Sequence, residues 1–349
     1  MKIALLAHLH HPIAEPYLGG TEMHTAVVAD ELVRRGHEVT LFAQQGSRTS
    51  ARLVPLVPSD FTFGSMPGPN GDRSEEILVA AVTAAIAQIH DGEYDVVINN
   101  SLGPLPYTLL RNHPMITVLH TPPTLEKVLA VITAPGWTPD PRHRYVSVSE
   151  HNSAAWRTVL PEVVCVPNGV RLADWSDSGA AEDGLAVWSA RITPEKGLHL
   201  AIDAVRRAGL RLEFSGPVAD RAYVKAEVAP RLGADVTWAG HLGHGALARH
   251  LARGAVFVSS SVWAEPFGLS LVESMACGTP VAAFPTGAAP EIVTRGAGAL
   301  ADGVTTAALA DAVEMARWCD RADVRRRAED FDVQVMIDRY EKLLVDALG

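Results

Sequence analysis

Two glutamates set the first chemical question. Glu265 stands just before SLVESMAC, a segment with helical spacing in which Leu269, Val272 and Ala276 share one face. Pro266 holds Glu265 out of helical geometry. Glu273 then lies about five residues into the helix, roughly 7–8 Å along its axis at 1.5 Å per residue. Carboxylates so spaced cannot share one proton as an acid–base pair. They can accept hydrogen bonds from hydroxyls at the two ends of one elongated ligand, and a sugar at one end with a ribose at the other fits. The first backbone N–H groups of the helix have no internal partner and carry partial positive charge, so a polar group can dock against Phe267, Gly268 and Leu269. Gly268 lets the backbone come close.

Two cations suit the middle of such a ligand. Arg191 ends the apolar run GLAVWSARI and Lys196 opens the helical run that follows. Arginine grips two phosphate oxygens and lysine acts as a point charge, which suits a diphosphate. In the first half of the chain, Gly19 and Gly20 open the helix TEMHTAVVADELVRRG, for which Thr21 is the expected N-cap and Gly36 the stop. No G-x-G-x-x-G and no G-x-x-x-x-G-K-[ST] occurs, so neither a dinucleotide fingerprint nor a P-loop is supported. His120 sits at a strand's carboxyl end in VLHTPP, where open α/β sheets bind ligands. His8, His10 and His11 follow the first strand, and a His-x-His there can begin a metal site if later strand ends supply more ligands. His120 is one candidate ligand, but no convincing Asp follows it. The other reading of these histidines is polar lining of a cleft. Singly, each feature has an ordinary explanation: a solvated helix charge, an exposed Arg and Lys, a tight turn, a buried histidine.

Their order along the chain is more specific. The run EPFGLSLVESMACGTPV, with seven residues between its outer glutamates and PFG after the first, closely resembles the family-4 retaining glycosyltransferases. That resemblance implies two Rossmann-like domains facing across a cleft, the glycosyltransferase B fold. It implies that Glu265 contacts the donor sugar and Glu273 the nucleotide ribose. Arg191 and Lys196-Gly197 match the family's diphosphate motif, with Ser189-Ala190 where the family usually has glycine. GGTE matches the loop facing the donor diphosphate, His120 the histidine close to the transferred sugar, and His241 and Leu242 the segment whose backbone lines the base pocket. TGAAPEIV resembles the family's next loop. The implied reaction moves a sugar, UDP-linked by preference, with retention, by front-face substitution assisted by the departing phosphate. No metal cofactor is required.

The elements that must position these residues are legible as two strand–helix series. KIALLAH, HEVTLFA, YDVVINNS, MITVLHT and RYVSVSE read as strands of a first doubly wound sheet. GLAVWSARI, LRLEFSGP, DVTWAG, AVFVSSSV and PVAAF read as strands of a second. VVCVPNGV marks the crossover. The expected boundaries are 1–163 for an acceptor-side domain, 164–328 for a donor-side domain and 329–349 for a final helix crossing back to the first. The loops Pro58–Asp72 and Pro135–Arg144 are expected to meet the acceptor.

Composition limits the alternatives. A chain of 349 residues is comfortable for two domains. A net charge of −10 argues against nucleic acid as the main partner. No 18-residue apolar run occurs, so no membrane span is expected, and peripheral contact stays open. Cys165, Cys277 and Cys319 form neither a zinc spacing nor a disulfide framework, and a cytoplasmic setting is expected. The partners expected are a nucleotide sugar and a small-molecule, glycan or lipid acceptor. The acceptor and the oligomeric state are not readable. Two rival functions stand beside the transferase: a metal-dependent hydrolase built on His8, His10 and His11, and a non-catalytic sugar-nucleotide-binding protein.

Overall fold

The computed structural model describes residues 1–61, 71–160, 162–175 and 181–349. Residues 62–70 of the loop expected over Pro58–Asp72 lie outside them. Contacts divide the chain into two units, Met1–Pro167 with Met336–Gly349, and Asn168–Val335.

The first unit is built on a seven-stranded sheet. Its strands are β1 (Lys2–Ala7), β2 (Glu38–Ala43), β3 (Arg52–Pro55), β4 (Val96–Asn100), β5 (Met115–Leu119), β6 (His143–Ser147) and β7 (Val163–Cys165), in the order β3-β2-β1-β4-β5-β6-β7. All pairs are parallel. Helices cover such sheets on both faces, so their strands are apolar throughout. Ile3, Ala4, Leu5, Leu6 and Ala7 are fully buried. The chain winds outward from β1 through β2 to β3, then restarts beside β1 with β4, with Ala7 opposite Asn100. A sheet that reverses direction in this way opens a crevice at the carboxyl ends of the two central strands. His8 and Asn100 stand there, and His120 follows β5.

Two local expectations change. The helix Gly20–Arg34 starts one residue before Thr21, and its N-cap is Gly19, with no side-chain cap. Thr21 is therefore helical, and its carbonyl takes the Thr25 hydroxyl at 2.8 Å. Strand β3 is absent from the sequence reading because it is short, begins with Arg and ends in Pro55. A sheet edge tolerates that proline because one side of the strand has no ladder to complete.

The second unit repeats the plan with β8 (Leu185–Ser189), β9 (Arg211–Ser215), β10 (Val236–Trp238), β11 (Val256–Ser259), β12 (Val281–Ala283) and β13 (Gly298–Leu300), ordered β10-β9-β8-β11-β12-β13 and parallel throughout. The helix Leu198–Arg207 lays Leu198, Ala201, Ile202 and Val205 on this sheet, a one-sided spacing that buries one stripe and leaves Arg206 and Arg207 outside. The sheet reverses between β8 and β11. The loops after those strands carry Arg191, Lys196 and Glu265.

The last helix, Val333–Leu348, supplies Ile337, Tyr340, Leu344 and Ala347 as fully buried residues. From Met336 onward it belongs to the first unit. The Tyr340 hydroxyl meets His24 Nε2 at 3.1 Å, and Glu341 pairs with Arg35 and with His37, the latter at 2.9 Å. Among the described residues no helix is long and apolar enough to cross a membrane.

Candidate active site

In the second unit, Lys196 and Glu265 are directly paired. The Lys196 ammonium bonds Glu265 Oε1, and the Ser261 hydroxyl donates to the same oxygen at 2.9 Å. Both partners are about one-fifth exposed, so solvent screens the pair less than it would a surface bridge. The loop after β11 is stitched to the turn Pro194–Lys196. Val262 N–H donates to the Glu195 carbonyl at 2.9 Å, and the Ser260 hydroxyl donates to the Lys196 carbonyl at 2.9 Å while accepting from Trp188 Nε1 at 3.1 Å. The backbone of one loop thereby fixes the side-chain register of the other. Arg191 is exposed at the end of β8.

Glu265 is also held from behind. The Ala288 N–H donates to the Glu265 carbonyl at 3.0 Å, and the Thr286 hydroxyl to the Ser261 carbonyl at 2.9 Å. Gly287 lies between them at φ +56°, where a Cβ would stand 2.3 Å from both the backbone N and O of Glu265. Only glycine fits there. Gly287→Ala is expected to cost about 1–3 kcal/mol in stability from strain alone and to lower activity by displacing Glu265. A variant with the parent's melting temperature and kcat would sink this account.

The helix Leu269–Ala276 begins behind Gly268, which has the left-handed φ of 96°. The Phe267 ring is buried and meets Phe331 edge to face, with centroids 5.8 Å apart. Phe267 therefore offers a ligand its backbone and not its side chain. Glu273 is buried on the same helix, and its carboxylate makes no hydrogen bond or ion pair among the described residues. Burial pushes its pKa up to about 8. A buried acid without a partner is costly unless something donates to it. His241 and Leu242 follow Gly240 after β10, with His241 exposed and Leu242 half-buried.

In the first unit, polar side chains gather at the carboxyl ends of β1, β4 and β5. Gly19 caps the helix in an extended conformation, and a Cβ there would stand 3.0 Å from the Glu22 carboxylate. That carboxylate is itself buried 3.6 Å from His8 Nε2. His8 Nδ1 accepts from the His10 N–H at 3.4 Å. His8 Nδ1 is thus engaged within the protein, while Nε2 faces the Glu22 carboxylate. Burial holds His8 and His10 down to about 4 and His24 to about 3, and holds His120 well below its ordinary value. His24 and His120 meet edge to face at 4.7 Å, and His120 Nε2 lies 3.2 Å from Asn100 Oδ1. Among the described residues no group of three or more His, Cys, Asp or Glu is arranged to hold a metal. His8, His10 and His11 therefore find no completed ligand set there for the hydrolase reading.

Sequence reasoning passed over Glu22, Thr25, Asn100, Ser261 and Gly287. Glu22 had a signal, its place in GGTE beside the glycines. Thr25 and Asn100 meet across 75 positions, Ser261 bonds Glu265, and Gly287 leaves room for the Glu265 backbone.

Comparison with known proteins agrees with this architecture. Residues 18–174 match the family model described as Glycosyltransferase Family 4, and residues 176–329 match that of Glycosyl transferases group 1. A D-inositol 3-phosphate glycosyltransferase of Mycolicibacterium smegmatis is 27% identical, over 86% of this chain and 80% of its own. Sucrose-phosphate synthase from Thermosynechococcus elongatus superposes with a TM-score of 0.77 at 20% identity, over 98% of each chain. HepE of Anabaena, solved in complex with UDP and glucose, superposes with a TM-score of 0.76 at 19% identity, over 99% of each chain. Two parallel-sheet Rossmann-like units of this kind make up the glycosyltransferase B fold. The chain belongs to the family-4 glycosyltransferases and is a glycosyltransferase.

Proposed function

We propose that the protein transfers a sugar from a nucleotide-diphosphate sugar, UDP-linked by preference, to a small hydroxylated acceptor with retention of anomeric configuration and without a metal. The observation that carries the reading is the Lys196–Glu265 pair on the two loops where the second sheet reverses, with Arg191 on the same loop as Lys196 and the Glu273 carboxylate, unpartnered among the described residues, further along the helix that follows Glu265. Cations at that point stabilise the charge that a leaving diphosphate gains as its bond to the sugar breaks. Glu273 accepts from ribose hydroxyls. Glu265, already bonded to Lys196 and Ser261, binds the sugar and does not act as the nucleophile. Departing phosphate and incoming acceptor then share one face of the sugar. Gly19, Gly20 and the helix they open face the donor phosphates. His241, Leu242 and the N–H groups at Phe267, Gly268 and Leu269 complete the donor contacts, and His120 orients the sugar.

UDP is favoured because HepE, with the same fold, was solved with UDP and glucose. The relatives named D-inositol 3-phosphate glycosyltransferase make inositol phosphates the first acceptors to assay. Calorimetric titration with UDP, GDP and ADP, with and without EDTA, tests the donor reading. The expected result is tight binding of UDP, unchanged by the chelator. Binding of none of the three, or binding lost in EDTA, would overturn it.

A further inference from the structure

The helix Gly71–Asp91 of the first unit is apolar on both sides. Its inner side is accounted for, because Ala85, Ile86 and Ile89 are buried with Ala4, Leu6 and Phe42 of the sheet. Its outer side is not. The run ILVAAVTAAIAQI, from Ile77 to Ile89, holds no charged residue, whereas a helix lying on a sheet ordinarily turns charges to solvent. At about 100° per residue, the positions opposite the buried ones are Arg73, Ile77, Ala80, Ala84, Ala87 and Asp91, and all of them are exposed. Ile77 is 45% exposed. Steps of four and three residues alternate along this row, which is the spacing of a coiled-coil seam. Its two ends carry opposite charges.

The row is also its own complement. Turned end for end about Val82, it sets Arg73 on Asp91, Ile77 on Ala87 and Ala80 on Ala84. Opposite charges then meet at both ends, and a large side chain meets a small one between them. We infer that two copies of the chain pair through this helix about a two-fold axis, antiparallel, with Arg73 of each protomer against Asp91 of its partner. Such an interface is isologous, so one self-complementary face is enough to build it. A parallel pair would set Arg73 on Arg73 and Asp91 on Asp91, and like charges so placed repel. Alanines at the centre let the two helix axes approach to about 8 Å, the close end of helix packing. A lipid surface fits the same face poorly. Faces that enter a bilayer carry Trp, Phe or Leu above a basic rim, whereas this seam is mostly alanine and has Glu75, Glu76 and Asp91 at its ends. A contact of about five helical turns buries less than the roughly 1,200–2,000 Å² of a standing interface, so the dimer is reversible, with micromolar affinity.

Sedimentation velocity of the full chain between about 1 and 100 μM tests the pairing. The expected result is a monomer–dimer equilibrium within that range, and a monomer throughout overturns it. Ala84→Glu sets a carboxylate of each copy at the centre of the seam. Glutamate is a good helix former at an exposed position, so this variant is expected to be a monomer with the parent's circular dichroism. A dimer that survives Ala84→Glu overturns the assigned face. Charge reversal reads the register. Arg73→Asp and Asp91→Arg should each weaken the dimer by about tenfold, because two attractive pairs become two repulsive ones. The double variant Arg73→Asp/Asp91→Arg should recover the parent's affinity, and a double variant as weak as the singles overturns the antiparallel register. Flotation with vesicles of phosphatidylcholine and phosphatidylglycerol separates the two kinds of surface. A monomer that floats with the vesicles, and is released from them by Ala84→Glu, would give the face to lipid and overturn the dimer.

Discussion

Lys196→Met is expected to lower kcat by about 10²–10³-fold, the usual cost of removing one preorganised donor from a developing negative charge. Two effects combine in that loss. The leaving diphosphate loses a point charge, and Glu265 loses the cation that bonds its Oε1, keeping only the Ser261 hydroxyl. A double variant separates them. If the loss comes from stranding the Glu265 carboxylate, adding Glu265→Gln should restore part of it. If it comes from the missing charge on the phosphate, the double variant should be no better than Lys196→Met. Glu265→Ala, by contrast, should lower turnover with nucleotide affinity kept, because Glu265 is assigned to the transferred sugar and not to the nucleotide. Single-turnover rates with the donor, beside calorimetric affinity for the nucleotide, give both numbers. An unchanged kcat in Lys196→Met would remove the lysine from the chemistry.

The second large effect belongs to Glu273. Glu273→Ala is expected to weaken nucleotide binding by about 10- to 100-fold, one or two hydrogen bonds to a charged acceptor. The parent should also show a proton signature. Burial holds the Glu273 acid up to about 8, so at pH 7 it is largely protonated. Ribose hydroxyls donate to the carboxylate and favour ionisation. Binding near neutral pH should therefore release a proton, read as a buffer-dependent enthalpy in calorimetry, and Glu273→Gln should show none. Stability carries the same group with a definite sign. The unfolded chain titrates Glu273 at its ordinary 4.5 and the folded chain at about 8, so between those values the folded state holds more protons. Stability from this residue is complete below about 4.5 and declines as pH rises toward 8. The melting temperature of Glu273→Gln should accordingly gain on the parent across that window. A constant difference would mean that Glu273 is not a raised, buried acid.

The candidate site residues named from the sequence share one property, that their chemistry is written locally. Glu265 and Glu273 sit on one helix and its approach. Arg191 and Lys196 flank one turn, and the two glycines open one helix. Apolar runs bounded by Gly and Pro gave both sheets away, because parallel strands are buried on both faces. What escaped is non-local. Asn100 meets Thr25 from 75 positions away, and no periodicity reports such a pair. Gly287 matters because a Cβ there would run into the Glu265 backbone. The expected cap at Thr21 failed for a related reason. A threonine at the start of an apolar period has the right chemistry for a cap, but the helix begins at Gly20 with Gly19 in the cap position, so Thr21 is already inside it.

The return of the final helix to the first unit also bears on how the chain is made. A ribosome delivers the whole second unit between Pro167 and Met336. The first unit therefore emerges early yet lacks Ile337, Tyr340 and Leu344, three of its innermost residues, until nearly the last moment. During that interval His24 has no tyrosine, Arg35 and His37 have no Glu341, and an apolar face of the oldest part of the protein lies open to solvent. A premature stop anywhere before Met336 leaves that face uncovered permanently, so truncated products should be insoluble or chaperone-bound rather than half active.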